Sequence, residues 1–236
     1  MLSVKNLTVV YPDGTRAVDD ISFTIGGEES VALIGANGAG KTSLLLSLVG
    51  VLTAKTGSIT VDDIVLSKDT LNNIRRRVGY VFQNPDDQLF MPTIMEDISF
   101  GPHNFGISHE EIHQRVDRVL EQLDITRLRD RSSLKLSGGE KRMAAIASVL
   151  VMDPTLMIFD EPTAFLDPKA RRKLINTLNA LPHAKLIATH DLSFAVEACS
   201  RVMVIKGGRL FAEGGTELLY NEKLMDDAGV EAIQRL

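Results

Sequence analysis

The stretch Val31–Leu46, VALIGANGAGKTSLLL, decides the fold of this chain. Its first four residues, Val31–Ile34, are apolar and predict a buried strand, and apolar residues return at helical spacing after Thr42. Between them, Gly35–Thr42 matches G-x-x-x-x-G-K-[ST] in the strand-then-helix context that this pattern requires. The glycines let successive backbone N–H groups face inward, and the helix beginning near Lys41 points its positive end the same way. The stretch therefore predicts a loop that binds the phosphates of a nucleotide.

The polar side chains of this loop have predictable tasks. Lys41 can reach the β- and γ-phosphates of a nucleoside triphosphate, and the hydroxyl of Thr42 can ligate Mg²⁺. A nucleotide with Mg²⁺ is therefore the expected ligand. The binding residues predicted in the loop are Gly35, Asn37, Gly38, Ala39, Gly40, Lys41, Thr42 and Ser43.

The composition is that of an ordinary globular protein, with 44% hydrophobic and 24% charged residues. The formal net charge is −5 and no basic block of five or more residues occurs, so no nucleic-acid partner is expected. The longest apolar run, about residues 44–52, is shorter than the roughly 20 residues that a bilayer span needs. Any membrane crossing is therefore expected in another chain. Cys199 is the only cysteine, which fits a reducing compartment and a small core residue.

Strand patterns occupy the first third of the chain around the loop. The predicted strands are Leu2–Tyr11, Val18–Ile25, Gly57–Val61, Ile64–Leu66 and Val78–Phe82. Pro12–Gly14 and the pair Asp62-Asp63 are turn signals between them. The densest cationic run, Arg75–Arg77, is interpreted as a solvated strand entry.

From Pro92 to about Met152 the pattern becomes mostly helical. The predicted helices are Ile94–Phe100, Glu110–Leu123 and Glu140–Val151. This predicts a helical subdomain, residues 84–152, inserted into an α/β core made of residues 1–83 and 153–236.

One motif in this insertion points elsewhere. His109–His113, HEEIH, matches the H-E-x-x-H pattern of zinc proteases, and on a helix the two histidines would share a face. Against a zinc site, Ser108 and Glu111 form a predicted capping box, and no third ligand follows at a recognised spacing. The helix start is the favoured interpretation, and a zinc-dependent hydrolase remains a remote alternative.

A second anion site is encoded by Leu136–Glu140, LSGGE, which precedes a predicted helix. Ser137 with Glu140 forms a capping box, and helix capping alone would explain them. The functional interpretation is that Ser137 and the amides of Gly138 and Gly139 bind a phosphate at the helix start. One molecule would then carry two phosphate sites, and a head-to-tail dimer would close both on each nucleotide.

Two later strands end in polar side chains. Leu156–Glu161, LMIFDE, predicts a buried strand ending in two carboxylates, of which Asp160 suits Mg²⁺ and Glu161 can polarise an attacking water. The strand Lys185–Thr189 ends at His190 in the same way. Strand tips of an open α/β sheet are where ligands bind. Asp167 is a predicted helix N-cap.

The rest of the chain shows fewer signals of function. Arg201–Ala212 predicts a hairpin turning at Gly207-Gly208. Thr216–Leu236 is predicted to be helical and peripheral.

Taken in order, these motifs resemble those of ATP-binding cassette (ABC) ATPases, the nucleotide-binding subunits of transporters. LSGGE before a helix, FDEP at 159–162 and THD at 189–191 are more specific to this family than the phosphate-binding loop, which many NTPases share. The resemblance covers essentially the whole chain. It implies an α/β P-loop NTPase fold, a RecA-like core with an antiparallel β subdomain, plus an inserted α-helical signature subdomain.

The resemblance also implies roles, with ATP and Mg²⁺ as cofactors. Tyr11 would stack on the adenine, Gln83 would sense Mg²⁺ and the lytic water, and His190 would contact the γ-phosphate. The implied catalytic residues are Lys41, Gln83, Glu161, Asp167 and His190. The implied metal ligands are Thr42, Gln83 and Asp160. The subunit would form a head-to-tail dimer with itself or a paralogous ATPase, in which Ser137, Gly138 and Gly139 complete the partner's site.

A narrower likeness comes from Tyr11–Phe23, YPDGTRAVDDISF, and Phe82–Phe90, FQNPDDQLF. These stretches resemble the ATPases of energy-coupling factor importers for cobalt, nickel and vitamins. By that resemblance, Gln83–Phe90 would receive the transmembrane component, and the ATPase would work at the cytoplasmic face of the membrane. Departures from the family pattern are Glu140 for Gln, Met143 for Arg, and Phe165 at a position that is small in most members.

The expected function is therefore ATP hydrolysis that powers a membrane importer. The alternative is a soluble ABC ATPase of DNA repair or translation. Such chains usually carry a long coiled coil between the phosphate-binding loop and the signature, or two cassettes, whereas Lys41 and Ser137 lie in one cassette without such an insertion. A plain P-loop kinase would leave LSGGE without a role.

Overall fold

A computed structural model describes residues 1–234 of the chain. The strands of this part are β1 (Leu2–Val10), β2 (Arg16–Ile25), β3 (Ser30–Ile34), β4 (Thr56–Val61), β5 (Ile64–Val65), β6 (Val78–Val81), β7 (Leu156–Asp160), β8 (Ala184–Ala188), β9 (Arg201–Lys206) and β10 (Arg209–Gly214). The helices are α1 (Lys41–Leu48), α2 (Leu71–Arg77), α3 (Ile94–Asn104), α4 (His109–Gln122), α5 (Gly138–Leu150), α6 (Pro168–Ala180), α7 (Leu192–Ala198) and α8 (Glu222–Asp227).

Two sheets organise these elements. β1, β2, β4 and β5 form an antiparallel sheet in the order β2-β1-β4-β5. The larger sheet has the order β10-β9-β3-β8-β7-β6, and all its neighbours are parallel except the β9–β10 hairpin. Because the carboxyl ends of parallel strands meet at one edge, the segments that follow β3, β6, β7 and β8 lie side by side. This edge positions the candidate site.

The central strands are apolar because the larger sheet is covered on both faces. Every residue of β7 and β8 is buried, as a parallel sheet between helices requires. One face packs on α1 and the antiparallel sheet, and the other packs on α5 and α6. The mixed α/β fold with a P-loop that the sequence predicts is confirmed.

Helices α3, α4 and α5 follow β6 in the chain and pack against one another. On α4, Ile112, Val116 and Val119 are buried at helical spacing, while the opposite face is charged. Thr93 with Glu96 caps α3, and Ser137 with Glu140 caps α5, each in a reciprocal box. The sequence signal of a capping box is thus confirmed at α5.

Three local predictions are wrong. Arg75–Arg77 form the last turn of α2 rather than a strand entry, where their charge suits the negative end of the helix. The Ser108 hydroxyl accepts from the amide of Glu111, but the Glu111 carboxylate pairs with Arg115 at 2.6 Å instead of completing a box. Thr216–Leu236 is not one helix, as described next.

The segment predicted as a peripheral helix divides into a 3₁₀ turn at Thr216–Tyr220 and the short helix α8. The last two residues of that prediction lie outside the described residues. Leu219 and Met225 are fully buried against β3 and β9, so the segment belongs to the core. Its apolar residues are spaced for tertiary contacts rather than for one continuous helix.

In the described part of the chain, no helix has the length and apolar character needed to cross a bilayer.

The close packing of α5 on the sheet leaves no room for a side chain at Gly79. A Cβ at Gly79 would lie 2.0 Å from Cγ1 of Val149, so Gly79→Ala should lower the free energy of unfolding by about 1–3 kcal/mol through overpacking. Urea unfolding measures this. With Val149→Ala added, the double variant should be less destabilised than the sum of the single variants, because the clashing methyl is gone. Gly27→Ala, where a Cβ meets nothing within 4 Å, is the control. Additive effects would contradict the packing argument.

Candidate nucleotide-binding site

The glycine-rich loop joins β3 to α1 at the carboxyl edge of the larger sheet. Gly40 precedes α1 with φ of 104°, in the left-handed region that glycine favours. A Cβ at Gly40 would lie 2.2 Å from the carbonyl oxygen of Ala17, and one at Gly35 would lie 2.5 Å from that of Ile205. The outer side of the loop therefore packs closely against neighbouring backbone. Its inner side faces the cavity.

Lys41 lies inside the curl of this loop. Its Nζ donates to the carbonyl oxygens of Gly35 at 2.7 Å and Ala36 at 3.2 Å. Burial lowers the pKa of Lys41, and the nearby charges of Glu161 and Asp160 act against that shift. The ammonium is thus held by loop carbonyls and faces two carboxylates. An entering triphosphate would supply an anion in direct contact with this buried cation, whose hydrogen bonds now go to carbonyl groups.

A hydroxyl and a carboxylate meet beside the loop. Oγ1 of Thr42 donates to Oδ2 of Asp160 at 3.0 Å, although the two residues are far apart in sequence. Hydroxyl and carboxylate oxygens are the ligands that Mg²⁺ prefers, so this pair fits the metal predicted here. The hydroxyl of Tyr80 donates to the same carboxylate oxygen at 3.2 Å, and burial, followed by the charge of Asp160, raises the pKa of Tyr80.

Tyr80 is a residue that the sequence analysis missed. It lies on β6, paired with Ile158 of the neighbouring β7, which ends at Asp160. The only sequence signal was the compact strand itself, and nothing in that strand marked its tyrosine as a partner of a carboxylate.

Glu161 and His190 form the second polar pair of this edge. Oε2 of Glu161 accepts from the backbone N–H of His190 at 3.1 Å and lies 2.7 Å from Nδ1 of the imidazole. Because an ionised carboxylate can only accept, Nδ1 carries the proton in this arrangement and Nε2 remains available. The Glu161 side chain is 11% exposed and that of His190 71% exposed. The histidine is therefore accessible to a ligand at this edge, with Nε2 not engaged by Glu161.

The glycine-rich loop, the Thr42–Asp160 pair and the Glu161–His190 pair all line one cavity of about 640 Å³. It is lined by Tyr11, Thr15, Arg16, Ala17, Asn37, Gly38, Ala39, Gly40, Lys41, Thr42, Ser43, Gln83, Asp160, Glu161 and His190. The hydroxyl of Tyr11 lies 2.9 Å from Oγ of Ser43, at the open end of the loop. The structure thus brings together most of the predicted site residues from five separate parts of the chain.

The signature residues lie apart from this cavity. Ser137, Gly139 and Asp167 line a separate cavity of about 300 Å³, which shares no residue with the first. The Ser137 hydroxyl donates to the carboxylate of Glu140 at 2.9 Å, and its backbone N–H donates there too, which lowers the pKa of Glu140. Gly138 is the first residue of α5. A single copy therefore cannot join the two groups of residues at one ligand.

Asp167 occupies the helix start that the sequence predicts. Its Oδ1 accepts from the amide of Ala170 at 2.8 Å, which caps α6, and Pro168 follows at the first helical position.

The zinc alternative fails on geometry. The rings of His109 and His113 are 4.5 Å apart, but among the described residues no group of three or more His, Cys, Asp or Glu could hold a metal. Nδ1 of His113 lies 3.3 Å from the guanidinium of Arg129, a cation that disfavours a metal ion there.

A larger cleft, of about 1130 Å³, lies elsewhere, between α4 and the core. It is lined by residues such as Glu110, Arg115 and His183 and contains none of the predicted site residues. Cleft volume alone would therefore point to a different region. The prediction of the nucleotide site rests instead on the loop amides, the cation and the carboxylates that line one cavity.

Residues 18–164 match the family model described as ABC transporter. The chain belongs to the ABC transporter family. As an ABC ATPase it binds ATP and hydrolyses it to power transport. This agrees with the cavity that joins the glycine-rich loop to Glu161 and His190.

Two relatives and one solved structure have names that are more specific than the family description. The energy-coupling factor transporter ATP-binding protein EcfA of Carboxydothermus hydrogenoformans is 41% identical over 98% of this chain and 87% of its own length. EcfA of Methanothermobacter thermautotrophicus is 42% identical over 91% of this chain and 70% of its own. Among solved structures, cbiO1 of Clostridium perfringens, part of the ABC transporter complex cbiONQ, has a TM-score of 0.85 at 37% identity and covers 94% of this chain and 91% of its own.

A further structural relative is a dimer. The ATP-binding cassette MJ0796, in a post-hydrolysis state bound to ADP and Pi, has a TM-score of 0.80 at 26% identity and covers 92% of this chain and 99% of its own.

The loop between Glu161 and Asp167 carries a strained aromatic residue. Phe165 is 87% exposed and has φ of 63°, a conformation that costs a non-glycine residue roughly 1–2 kcal/mol. Phe165→Gly should raise the free energy of unfolding of the isolated chain by roughly 0.5–1 kcal/mol, since it removes strain and few contacts. Urea unfolding measures this. Phe211→Gly, on the extended strand β10, is the control and should be destabilising. A destabilised Phe165→Gly would show that its ring packs within the monomer.

Proposed function

We propose that this chain is the ATPase of an energy-coupling factor importer for cobalt, nickel or a vitamin, working at the cytoplasmic face of the membrane. The observation that carries the proposal is the near full-length similarity to EcfA of Carboxydothermus hydrogenoformans. The similarity to cbiO1 supports the same transporter class. The signature, the carboxylate pair and the histidine tip are all present in this chain, so its own site has the groups that hydrolysis requires.

Each group of the cavity has a proposed task in hydrolysis. Lys41 binds the β- and γ-phosphates, and Tyr11 stacks on the adenine. Thr42, Asp160 and Gln83 would hold Mg²⁺, which neutralises charge on the phosphates when bound. Glu161 orients and polarises the attacking water from its buried position at the tip of β7.

His190 completes the γ-phosphate contact. Its Nδ1–H is held by Glu161, so Nε2 points away from that carboxylate and can meet a phosphate oxygen. A phosphate oxygen can only accept, so this contact uses a proton on Nε2. Glu161 thus has two tasks, because it orients both the water and the histidine.

We infer a head-to-tail dimer because the signature cavity is separate from the loop cavity in one copy. Ser137, Gly138 and Gly139 of one subunit would meet the γ-phosphate held by the other. The helix start of α5 offers its positive end and free amides there. Asp167 lies beside this helix start and would join the two sites. The partner is a second copy or a paralogous ATPase.

The transmembrane component would dock on Gln83–Phe90. On charge pattern alone, Asp86 and Asp87 would suit a basic segment of the partner, but Asp86 already pairs with Lys141 at 2.6 Å. What the surface presents is aromatic: Phe90 is 60% exposed and meets the ring of Phe100 edge-on at 5.0 Å. An apolar helix face of the membrane component would fit these rings better than a basic one.

The proposed domain layout is a nucleotide-binding core of residues 1–83 and 153–236 with a helical subdomain of residues 84–152. No nucleic-acid partner is proposed. The soluble ABC ATPase of DNA repair or translation has no observation in its favour, since α3, α4 and α5 are short packed helices rather than a coiled coil.

Dimerisation is tested by light scattering. Glu161→Gln, which keeps the shape of the site but slows hydrolysis, should change from monomer to dimer when ATP and Mg²⁺ are added. Adding Ser137→Arg should abolish that dimer, because the arginine fills the contact at the helix start. Glu161→Gln that stays monomeric with ATP, in the absence of any paralogous partner, would refute the homodimer.

The importer class is tested in the source organism. Deleting this chain should abolish ATP-driven uptake of one solute among cobalt, nickel and the vitamins, measured with labelled solutes. The unaltered gene should restore that uptake and Glu161→Gln should not. Normal uptake of all these solutes in the deletion strain, with impaired DNA repair or translation, would favour the soluble alternative.

A further inference from the structure

Arg142 is an unusual charge in this fold. It is 1% exposed and is one of the largest fully buried side chains. Within residues 1–234 it forms no ion pair, and burial lowers its pKa to about 10. An unpaired charge in a protein interior is costly, so its retention calls for a task that an apolar side chain could not perform.

The guanidinium of Arg142 holds two consecutive carbonyl groups. One terminal nitrogen donates to the carbonyl oxygen of Phe82 and the other to that of Gln83, each at 2.6 Å. The planar fork of arginine fixes two acceptors at once, which a lysine ammonium on a flexible stem cannot reproduce. Fixing both carbonyls sets the two peptide planes that flank the Cα of Gln83, and with them the direction in which its side chain leaves the backbone. Gln83 lines the nucleotide cavity.

Three further contacts join the same segment to α5, two from Gln88 and one from Asp86. The side chain of Gln88 accepts from the amide of Phe82 at 3.1 Å and donates to the carbonyl oxygen of Ala145 at 2.8 Å. It also donates to Oγ of Ser148 at 2.9 Å. Together with the Lys141–Asp86 ion pair, these contacts connect residues 82–88 to α5 at several points.

Helix α5 begins one residue after Ser137 and also carries Arg142. The same helix therefore borders the signature cavity and contacts the segment whose Gln83 lines the nucleotide cavity. We propose that Arg142 is a positioning residue that fixes Gln83 at the nucleotide of its own subunit and ties that position to the signature helix. This inference rests on the proposed role of Gln83. It adds that Arg142 makes that role depend on the position of α5. A shift of the signature helix α5 would then also shift Gln83 of the same subunit.

A purely structural arginine would behave differently from a positioning one. If Arg142 only filled and cross-linked the interior, its replacement would change the stability of the fold, and any loss of activity would not depend on the side chain at position 83. If it acts through Gln83, the two replacements should not be additive in kcat.

The test is a double-mutant cycle on steady-state ATP hydrolysis at saturating Mg²⁺. Arg142→Lys, which keeps the charge but loses the fork, should lower kcat by about tenfold or more, with KM for ATP within about twofold, because the loop around Lys41 is untouched. In a Gln83→Ala background the same replacement should change kcat by less than about twofold. Arg142→Gln, which retains an amide donor, is the second variant and should show the same dependence on Gln83.

The matched control is Arg172→Lys on α6, an exposed arginine that pairs with Glu197. It should leave kcat unchanged in both backgrounds. An equal loss of kcat from Arg142→Lys in both backgrounds, or no loss in the unaltered chain, would overturn the inference while leaving the role of Gln83 intact. If Gln83→Ala itself keeps the full kcat, the proposed role of Gln83 fails and the inference fails with it.

Discussion

The parallel pairing of β3, β8, β7 and β6 is the constraint on which the rest of the structure depends. Because these strands run in one direction, the loop, Gln83, Glu161 and His190 leave the sheet at the same edge. Backbone hydrogen bonds extend this order beyond the strands, since the amide of Glu161 donates to the carbonyl of Ala188 at 2.8 Å. These four parts of the chain, which are distant in sequence, thus meet at one cavity, which the segment Tyr11–Ala17 completes.

The electrostatics of that cavity follow from burial. Lys41 is enclosed with only loop carbonyls as hydrogen-bond partners, while Asp160 and Glu161 lie at the neighbouring strand tip. A cation and two carboxylates held in a poorly hydrated site interact strongly with a charged ligand, and their positions are fixed before it arrives. Tyr80 and Thr42 both donate to Asp160, which holds its carboxylate in place.

The proposed dimer follows from the separation of the loop cavity and the cavity at Ser137 in one copy. In one copy, Ser137 and Glu140 cap the start of α5 in a reciprocal box, and no residue of this box lines the loop cavity. In the proposed dimer, hydrolysis would depend on assembly, because each nucleotide would contact the loop of one subunit and the signature of the other. The segment that follows β6 contacts α5 through several side chains, so the signature helix and the nucleotide cavity of one subunit are mechanically connected.

The sequence by itself determined those features that depend on residues close together in the chain. The loop Gly35–Thr42, the cap at Ser137 and the apolar strands were predictable because a few neighbouring residues specify each of them. The sequence did not reveal that Tyr80 donates to Asp160, or that Arg142 holds the backbone that follows β6. Those contacts join residues 60 to 80 positions apart. Only the tertiary structure decided them, because they arise from how a strand and a helix pack and not from any local pattern.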